Sequence, residues 1–184
     1  LNGLTSLSDV AAASLSKHKG NYLYLNGLTS LSDVAAASLS KHGGQLHLDG
    51  LTSLSDAAAE SLSKHEGGWL SFDGLTSLSD AAAESLSKHH EPLHLDGLTS
   101  LSDAAAESLS KHKGTLRLNG LTSLSDAAAE SLSRSMGWLS LDGLTNLSDV
   151  AAEILTKHQG ELDLFLDNLP ESAAQILRDA VHGE

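Results

Sequence analysis

The chain lacks cysteine, and aromatic residues make up only 3% of its 184 positions. Without cysteine there is neither a disulfide framework nor thiolate chemistry. Basic residues are also scarce, because 11 lysines and arginines stand against 24 aspartates and glutamates, for a formal charge of −13. Such a chain is a poor match for nucleic acid phosphates or for anionic membrane surfaces. No run approaches the roughly 20 apolar residues that span a bilayer, so we expect no nucleic acid partner and no membrane insertion.

The dominant feature of the chain is a sequence motif that is repeated seven times, with small changes, at intervals of 23 or 24 residues. The motif is L-x-L-[DN]-G-L-T-S-L-S-D-x-A-A-x-S-L-S-K-H. A period of this length is typical of a solenoid, in which each unit buries its apolar face against its neighbours. An Asp/Asn-Gly pair marks each copy, at Asn2-Gly3, Asn26-Gly27, Asp49-Gly50, Asp73-Gly74, Asp96-Gly97, Asn119-Gly120 and Asp142-Gly143. We predict a repeat array over residues 1–166, of about seven units with the first one partial, and a C-terminal capping helix over residues 167–184. The chain begins part-way through a repeat and without Met, so we expect it to be a fragment of a longer protein.

Each copy opens with a predicted strand. In the third copy, Leu46 and Leu48 alternate with His47. Alternation with a period of two indicates a strand with one buried face. Asp49-Gly50 follows and is typical of a turn, because Asp can bond nearby backbone and Gly tolerates a positive φ. We expect the strand to end there.

A short helix is predicted next in each copy. Ser55 and Asp56 offer the side-chain oxygen that an N-cap needs, and residues 57–64 are good helix formers. Ala58, Ala59 and Leu62 recur at the spacing of one helix face, which we expect to be buried. Glycines follow the helices where a left-handed C-terminal residue is expected, at Gly20, Gly43, Gly67, Gly114 and Gly160.

Successive copies are predicted to stack into an arc. Strand, turn, helix and next strand form a parallel crossover, and such crossovers are almost always right-handed. Stacked strands lie about 4.8 Å apart, whereas helix axes need about 8–10 Å. The strands must therefore lie on the hollow side. The fold class that follows is an α/β solenoid with a parallel β-sheet on the concave face and short helices on the convex face.

The order of apolar positions carries a resemblance to a known family. Each copy has a core L-x-L, then a further Leu, then a Leu-Ser-Asp that begins a helix, and then a Leu within that helix. In the third copy these residues are Leu46 and Leu48, Leu51, Leu54-Ser55-Asp56, and Leu62. The pattern resembles the leucine-rich repeat family. Within that family it resembles the helical subclass, which is cysteine-containing-like or ribonuclease-inhibitor-like, with divergent repeats of the bacterial type. The resemblance covers about residues 1–166 and implies a right-handed leucine-rich-repeat solenoid that serves as a protein-binding scaffold. The family's Asn or Cys between repeats is Leu here, at Leu28, Leu51, Leu75, Leu98, Leu121 and Leu144.

The positions that differ between copies cluster on the outward face of the predicted strands. One column reads Tyr22, Gln45, Trp69, Pro92, Thr115, Trp138 and Glu161, and its neighbour reads Tyr24, His47, Ser71, His94, Arg117, Ser140 and Asp163. Aromatic residues and Arg are enriched at binding hot spots. We predict a recognition strip for a protein or peptide, formed by Tyr22, Tyr24, His47, Trp69, His94, Arg117 and Trp138. A sheet surface that tolerates substitution, where β-forming residues are favoured anyway, would vary in the same way.

The Asp/Asn column is a second candidate site. Asp49, Asp73 and Asp96 are expected to stack as near neighbours, where like charges repel. Calcium would relieve the repulsion, because carboxylate oxygens suit it. Asn26 and Asn119 interrupt the column, and a turn role based on backbone N–H groups explains Asp and Asn alike. We therefore favour the turn role.

Histidine invites a metal or catalytic interpretation. Six of the ten histidines follow the helices in a Lys-His or equivalent position, where we expect them to favour the helix dipole, at His18, His42, His65, His89, His112 and His158. One denser cluster, His89-His90-Glu91 with His94, suggests zinc only weakly, because it straddles a loop and a strand. We expect no metal site and no cofactor.

Ser, His and Asp recur in nearly identical copies, and a catalytic site should break this periodicity. We therefore predict a non-enzymatic binding scaffold whose partner the sequence does not identify. The alternative is a structural or self-assembling array with homotypic end-to-end contact, because the open N-terminal edge of a sheet is a template for pairing.

The C-terminal copy departs from the repeat. Pro170 leads into an amphipathic segment over about residues 171–181, which predicts a helix that caps the last repeat. Its expected apolar contacts are Ala174, Ile176, Leu177 and Val181.

Overall fold

The computed structural model describes residues 3–182, with side chains as far as Ala180. Within these residues, helices and strands alternate along the chain. The helices are α1 (Asp9–Leu15), α2 (Asp33–Leu39), α3 (Asp56–Leu62), α4 (Asp80–Leu86), α5 (Asp103–Leu109), α6 (Asp126–Ser133), α7 (Asp149–Leu155) and α8 (Glu171–His182). The strands are β1 (Tyr22–Tyr24), β2 (Gln45–His47), β3 (Leu70–Ser71), β4 (Leu93–His94), β5 (Leu116–Arg117), β6 (Leu139–Ser140) and β7 (Leu162–Asp163).

The strands form one parallel sheet in chain order, from β1 to β7. The register places equivalent leucines side by side, as in the pairs Leu46–Leu70 and Leu70–Leu93. Adjacent copies are therefore in step, and the paired leucines of successive strands form a continuous row, which we name the leucine spine. The α/β repeat solenoid predicted from the period is confirmed, since each helix packs on the helices of the neighbouring copies.

The core consists of many similar small contacts. In the third copy Leu46, Leu48, Leu51 and Leu62 are completely buried, and equivalent leucines are buried in the other inner copies. Ala58 and Ala59 are buried on the inner side of α3, as predicted. Each buried leucine contributes about 1.5–3 kcal/mol relative to an exposed one, so stability accumulates copy by copy.

The helix side carries a polar ladder that joins neighbouring copies. Ser79 is the N-cap of α4, and its Oγ accepts a hydrogen bond from the backbone N–H of Ala82 at 3.0 Å. The same hydroxyl donates to Oδ1 of Asp56, in the first turn of the preceding helix, at 2.5 Å. The arrangement recurs at Ser32, Ser55, Ser102, Ser125 and Ser148. The predicted N-caps are confirmed, and each also fixes the spacing between successive helices.

The conformation predicted for the turn glycines is wrong. Among the described residues, only Gly68 has a positive φ, at 114°. The helices instead end on residues in the right-handed α region, such as Ser63 after α3. In five of the Asp/Asn-Gly pairs the glycine is required for a different reason, because the backbone of the preceding coil lies very close, at Gly50, Gly74, Gly97, Gly120 and Gly143. A Cβ placed on Gly97 would lie 2.2 Å from the backbone oxygen of Asp73.

The C-terminal segment forms a short 3₁₀ helix (Leu166–Asn168) and then α8, which packs on α7. Ala174 and Leu177 are buried and Ile176 is half-buried, as expected, and Ala173 is a further buried contact. Val181 lies outside the described side chains, and the boundary at residue 166 stays a prediction. No helix within residues 3–182 is long and apolar enough to cross a lipid bilayer.

Candidate functional site

A cleft on the strand face brings together four of the seven residues predicted for the recognition strip. We name it the Trp cleft; it measures about 290 Å³, and its lining includes Trp69, His94, Arg117, Trp138, Asp142 and Asp163. The two indoles stand three copies apart, and both are nearly half exposed. The parallel register of β3 to β6 places them in the same column, with the residues of the intervening copies between them.

The other three predicted residues form a separate aromatic stack towards the N-terminal end of the sheet. The rings of Tyr22 and Tyr24 lie 5.9 Å apart, and the ring of Tyr24 lies 4.5 Å from that of His47. Both tyrosines are about half exposed. The recognition strip is therefore divided into two surfaces along the same sheet.

His94 is not the exposed polar contact that the sequence predicts, because the residue is only 8% exposed. The Trp69 ring lies 5.2 Å from the His94 ring, and Arg117 occupies the next strand. Burial, assisted by the nearby Arg117 guanidinium, lowers the pKa of His94, and Asp73 and Asp96 only partly oppose this. The imidazole is therefore uncharged at neutral pH.

Two carboxylates orient the predicted binding residues, and the sequence prediction did not assign either to the site. Asp96 accepts the Arg117 guanidinium at 2.6 Å, which holds this long side chain against the sheet. Asp163 accepts a hydrogen bond from the Trp138 indole N–H at 2.9 Å. The signal that could have found Asp163 is its place in the variable column, one copy after Ser140.

The Asp/Asn column joins successive turns. Oδ1 of Asp73 accepts the backbone N–H of Asp96 at 3.1 Å, and Oδ1 of Asp96 accepts that of Asn119 at 3.0 Å. Asn119 continues the series by accepting the N–H of Asp142 at 2.9 Å. An amide oxygen serves as well as a carboxylate here, which explains the interruption of the column by Asn. The turn role favoured from the sequence is thus observed, although each side chain bonds the next copy rather than its own.

Close carboxylates carry an electrostatic cost in this column. Burial raises the pKa of Asp73, and the neighbouring Asp96 and Asp49 act in the same direction. The backbone N–H of Asp96 opposes the increase.

Over residues 3–182, no three His, Asp or Glu side chains come together in a way that could hold a metal ion. The suggested cluster around His89 is dispersed, because His94 lies on the strand face and His89 lies in the interior beyond the helix end.

The histidines that follow the helices form a column of their own, which the sequence did not reveal. We name it the histidine column: His18, His42, His65, His89, His112 and His158, with Ser135 at the equivalent position of the sixth copy. The four central members, His42 to His112, are between 1% and 3% exposed. The rings of His65 and His89 lie 6.1 Å apart, and those of His89 and His112 lie 6.4 Å apart, in stacked orientation.

The interior of the histidine column is poor in hydrogen bonds. Nδ1 of His65 lies 3.2 Å from the backbone oxygen of Ser40, but both ring nitrogens of His42, His89 and His112 lack a partner in the described part of the chain. Burial lowers the pKa of all four central histidines, and that of His89 falls to about 4. For these four histidines the helix-dipole interpretation is therefore wrong, since their rings are buried and neutral and lie beyond the last helical turn.

Neither the models of protein families nor the curated proteins give a match to this chain.

Proposed function

We propose that the chain is a leucine-rich repeat protein and a non-enzymatic scaffold that binds a protein or peptide on its strand face. The observation that carries the proposal is the Trp cleft, where four side chains chosen from the sequence alone line one cavity. The leucine spine, the parallel sheet and the helix on the opposite side of each copy support the family assignment. The buried positions are nearly invariant between copies, whereas the cleft residues are not. Variation at exposed positions of the strand face is what a recognition surface requires.

The cleft has the features of a binding hot spot. Trp69 and Trp138 are large, amphipathic and partly exposed, so a partner that covers them removes much apolar surface from water. Asp163 holds the Trp138 indole, and Asp96 holds Arg117. Side chains that are already fixed lose less conformational entropy when a partner binds.

Replacing both indoles is expected to abolish partner capture while leaving the fold intact. The first step is to select peptides from a randomised display library on the immobilised wild-type chain. The selected peptides should bind the Trp69→Ala/Trp138→Ala variant at least about tenfold more weakly, because truncation of a hot-spot residue costs about 2 kcal/mol or more. The melting temperature should change little, since the leucine core is untouched.

A matched control uses exposed apolar residues elsewhere. Val34 is 59% exposed and Met136 is 78% exposed, and neither lines the Trp cleft. Val34→Ala/Met136→Ala should retain every selected peptide. Failure to enrich any peptide, or equal binding by the two double variants, would remove the proposed surface.

A second function, end-to-end association with another copy, is favoured by the edge of the sheet at β1. This strand pairs with β2 on one side only, among the residues described. A cavity of about 330 Å³ at this edge is lined by Leu15, His18, Tyr22, Leu23 and Tyr24. A strand with one open edge beside exposed aromatic rings is a template for pairing with a second chain.

Light scattering distinguishes the two functions. Association through β1 predicts a mass that rises with concentration above the 19.1 kDa of one chain. Tyr22→Lys places a charge at this edge and should restore the single-chain mass. A constant mass of one chain at all concentrations would eliminate end-to-end association.

A further inference from the structure

We propose that the Trp cleft binds a Lys or Arg side chain presented by an extended segment of a partner protein. This inference rests on the proposed function and adds the chemistry of the partner. It follows from the charges, the indole faces and one nearly buried imidazole that meet in the cleft.

The cleft has an excess of negative charge. Its one guanidinium, on Arg117, is neutralised by Asp96 at 2.6 Å. Asp142 and Asp163 also line the cleft, and neither forms an ion pair within residues 3–182. Their hydrogen bonds come from the neutral Ser140 hydroxyl and the Trp138 indole N–H. Two carboxylates are thus left without a cation, and an approaching ammonium or guanidinium would supply one.

The indoles favour the same kind of ligand. The face of an indole ring carries negative electrostatic potential and attracts Lys or Arg placed within about 6 Å of its centroid. Trp69 and Trp138 stand at the two ends of the cleft, and each is exposed over more than a third of its surface. Because the Trp138 N–H is already engaged by Asp163, the open part of this side chain is its apolar ring.

His94 provides an independent indication of a ligand. The residue is only 8% exposed and lines the cleft. Because burial and Arg117 lower its pKa, the ring is uncharged at neutral pH. A neutral imidazole has one nitrogen that accepts a hydrogen bond. Lys and Arg are donors without acceptors, so they suit this nitrogen.

The shape of the surface indicates a peptide. Three strand spacings separate Trp69 from Trp138 within their column, which corresponds to about 14 Å of sheet or about four residues of extended chain. Phosphorylated or acidic segments are disfavoured, because Asp142 and Asp163 would repel them. Basic segments gain from each cleft carboxylate and from the acidity of the whole chain.

The test uses three labelled twelve-residue peptides in which Ser alternates with Lys, Glu or Gln, with binding followed by fluorescence anisotropy. Asp142→Asn/Asp163→Asn removes the two unpaired charges while preserving side-chain shape. Asn already occupies the column at Asn119, so the turn tolerates it. The matched control, Glu84→Gln/Glu107→Gln, removes two charges from exposed ion pairs on the helix side.

We expect the Lys peptide to bind the wild-type chain, the Glu and Gln peptides to bind at least about tenfold more weakly, and added salt to weaken the Lys complex. Asp142→Asn/Asp163→Asn should weaken that complex at least about tenfold, and the control less than about twofold. Absence of Lys-peptide binding, equal binding of the three peptides, or equal losses in the two variants would overturn the inference. Library peptides that depend on both indoles but lack basic residues would overturn it too, while leaving the binding function intact. If no library peptide is captured, the binding function itself fails.

Discussion

Acidification from pH 7.5 to pH 4 is expected to lower the free energy of unfolding by at least about 3 kcal/mol. The cause is the histidine column. His89 is almost fully buried, and burial, together with the neighbouring His65 and His112, lowers its pKa to about 4. The nearby backbone of Gly68 and His65 favours the protonated ring but does not offset burial. An ordinary histidine in the unfolded chain has a pKa of about 6.5.

The direction of the effect follows from proton binding. Below about pH 6.5 the unfolded chain takes up a proton at His89 that the folded chain refuses until about pH 4. Stability is therefore complete above pH 6.5, falls steadily between these limits, and falls no further through this residue below pH 4. His42, His65 and His112 act in the same direction, because their pKa values are also lowered. Asp73 acts oppositely, since its raised pKa lets the folded chain bind a proton first.

The measurement is the urea midpoint at pH 7.5, 6, 5 and 4, followed by circular dichroism. The sixth copy carries Ser135 in the column, so His89→Ser reproduces a solution that the chain already contains. Between pH 7.5 and pH 4, the free energy of unfolding of this variant should fall by about 3 kcal/mol less than that of the wild type. The comparison holds whatever the stability of the variant at pH 7.5. His90→Ser, which changes the adjacent exposed histidine, should retain the wild-type profile. Parallel profiles for wild type and His89→Ser would show that the column does not control acid stability.

General charge repulsion predicts the opposite trend, which makes the experiment decisive. The formal charge is −13 at pH 7, and acidification reduces it. Self-repulsion therefore weakens as the pH falls, which stabilises a compact acidic chain. A loss of stability above pH 4 then requires groups that resist protonation in the fold, and the buried histidines are such groups.

Features contained within one copy were predictable from the sequence. The spacing of Leu46, Leu48 and Leu51 predicts correctly that their side chains are buried. Apolar residues recur wherever the strand or turn directs a side chain inward, so their spacing follows the local structure. Ser55 as an N-cap follows from hydrogen bonding between residues three apart. Aromatic residues on the exposed side of the strands were visible as departures from the repeat, and two of them frame the Trp cleft.

Features that arise between copies were not predictable in the same way. His89 follows a lysine after a helix and resembles an exposed residue when one copy is considered alone. Its burial depends on the neighbouring coils, which place His65 and His112 on either side of it. His94 likewise becomes buried because Trp69, which immediately precedes the adjacent strand, lies against it. In each case the deciding neighbour lies about one repeat away, where local propensity carries no information.

Gly97→Ala is expected to destabilise the chain by about 2–3 kcal/mol, the cost of forcing an extra group into a closely packed site. The added Cβ would lie 2.2 Å from the backbone oxygen of Asp73 and 2.7 Å from that of Leu75, both in the preceding coil. Backbone atoms cannot rotate away as a flexible side chain would. The two coils must separate, which also stretches the 3.1 Å hydrogen bond from the Asp96 N–H to Asp73. Urea unfolding at pH 7.5 measures the loss.

Gly43→Ala is the matched control, because a Cβ at Gly43 meets nothing within 4 Å and its φ lies outside the positive region. This variant should equal the wild type or gain up to about 1 kcal/mol, since Ala reduces the conformational freedom of the unfolded chain. The alternative explanation is that glycine recurs at this turn only for its backbone flexibility. Neither Gly43 nor Gly97 has a positive φ, so on that explanation the two alanine variants should have the same stability. A selective loss at Gly97 would instead identify contact between coils as the constraint that keeps glycine in the turn of each full copy.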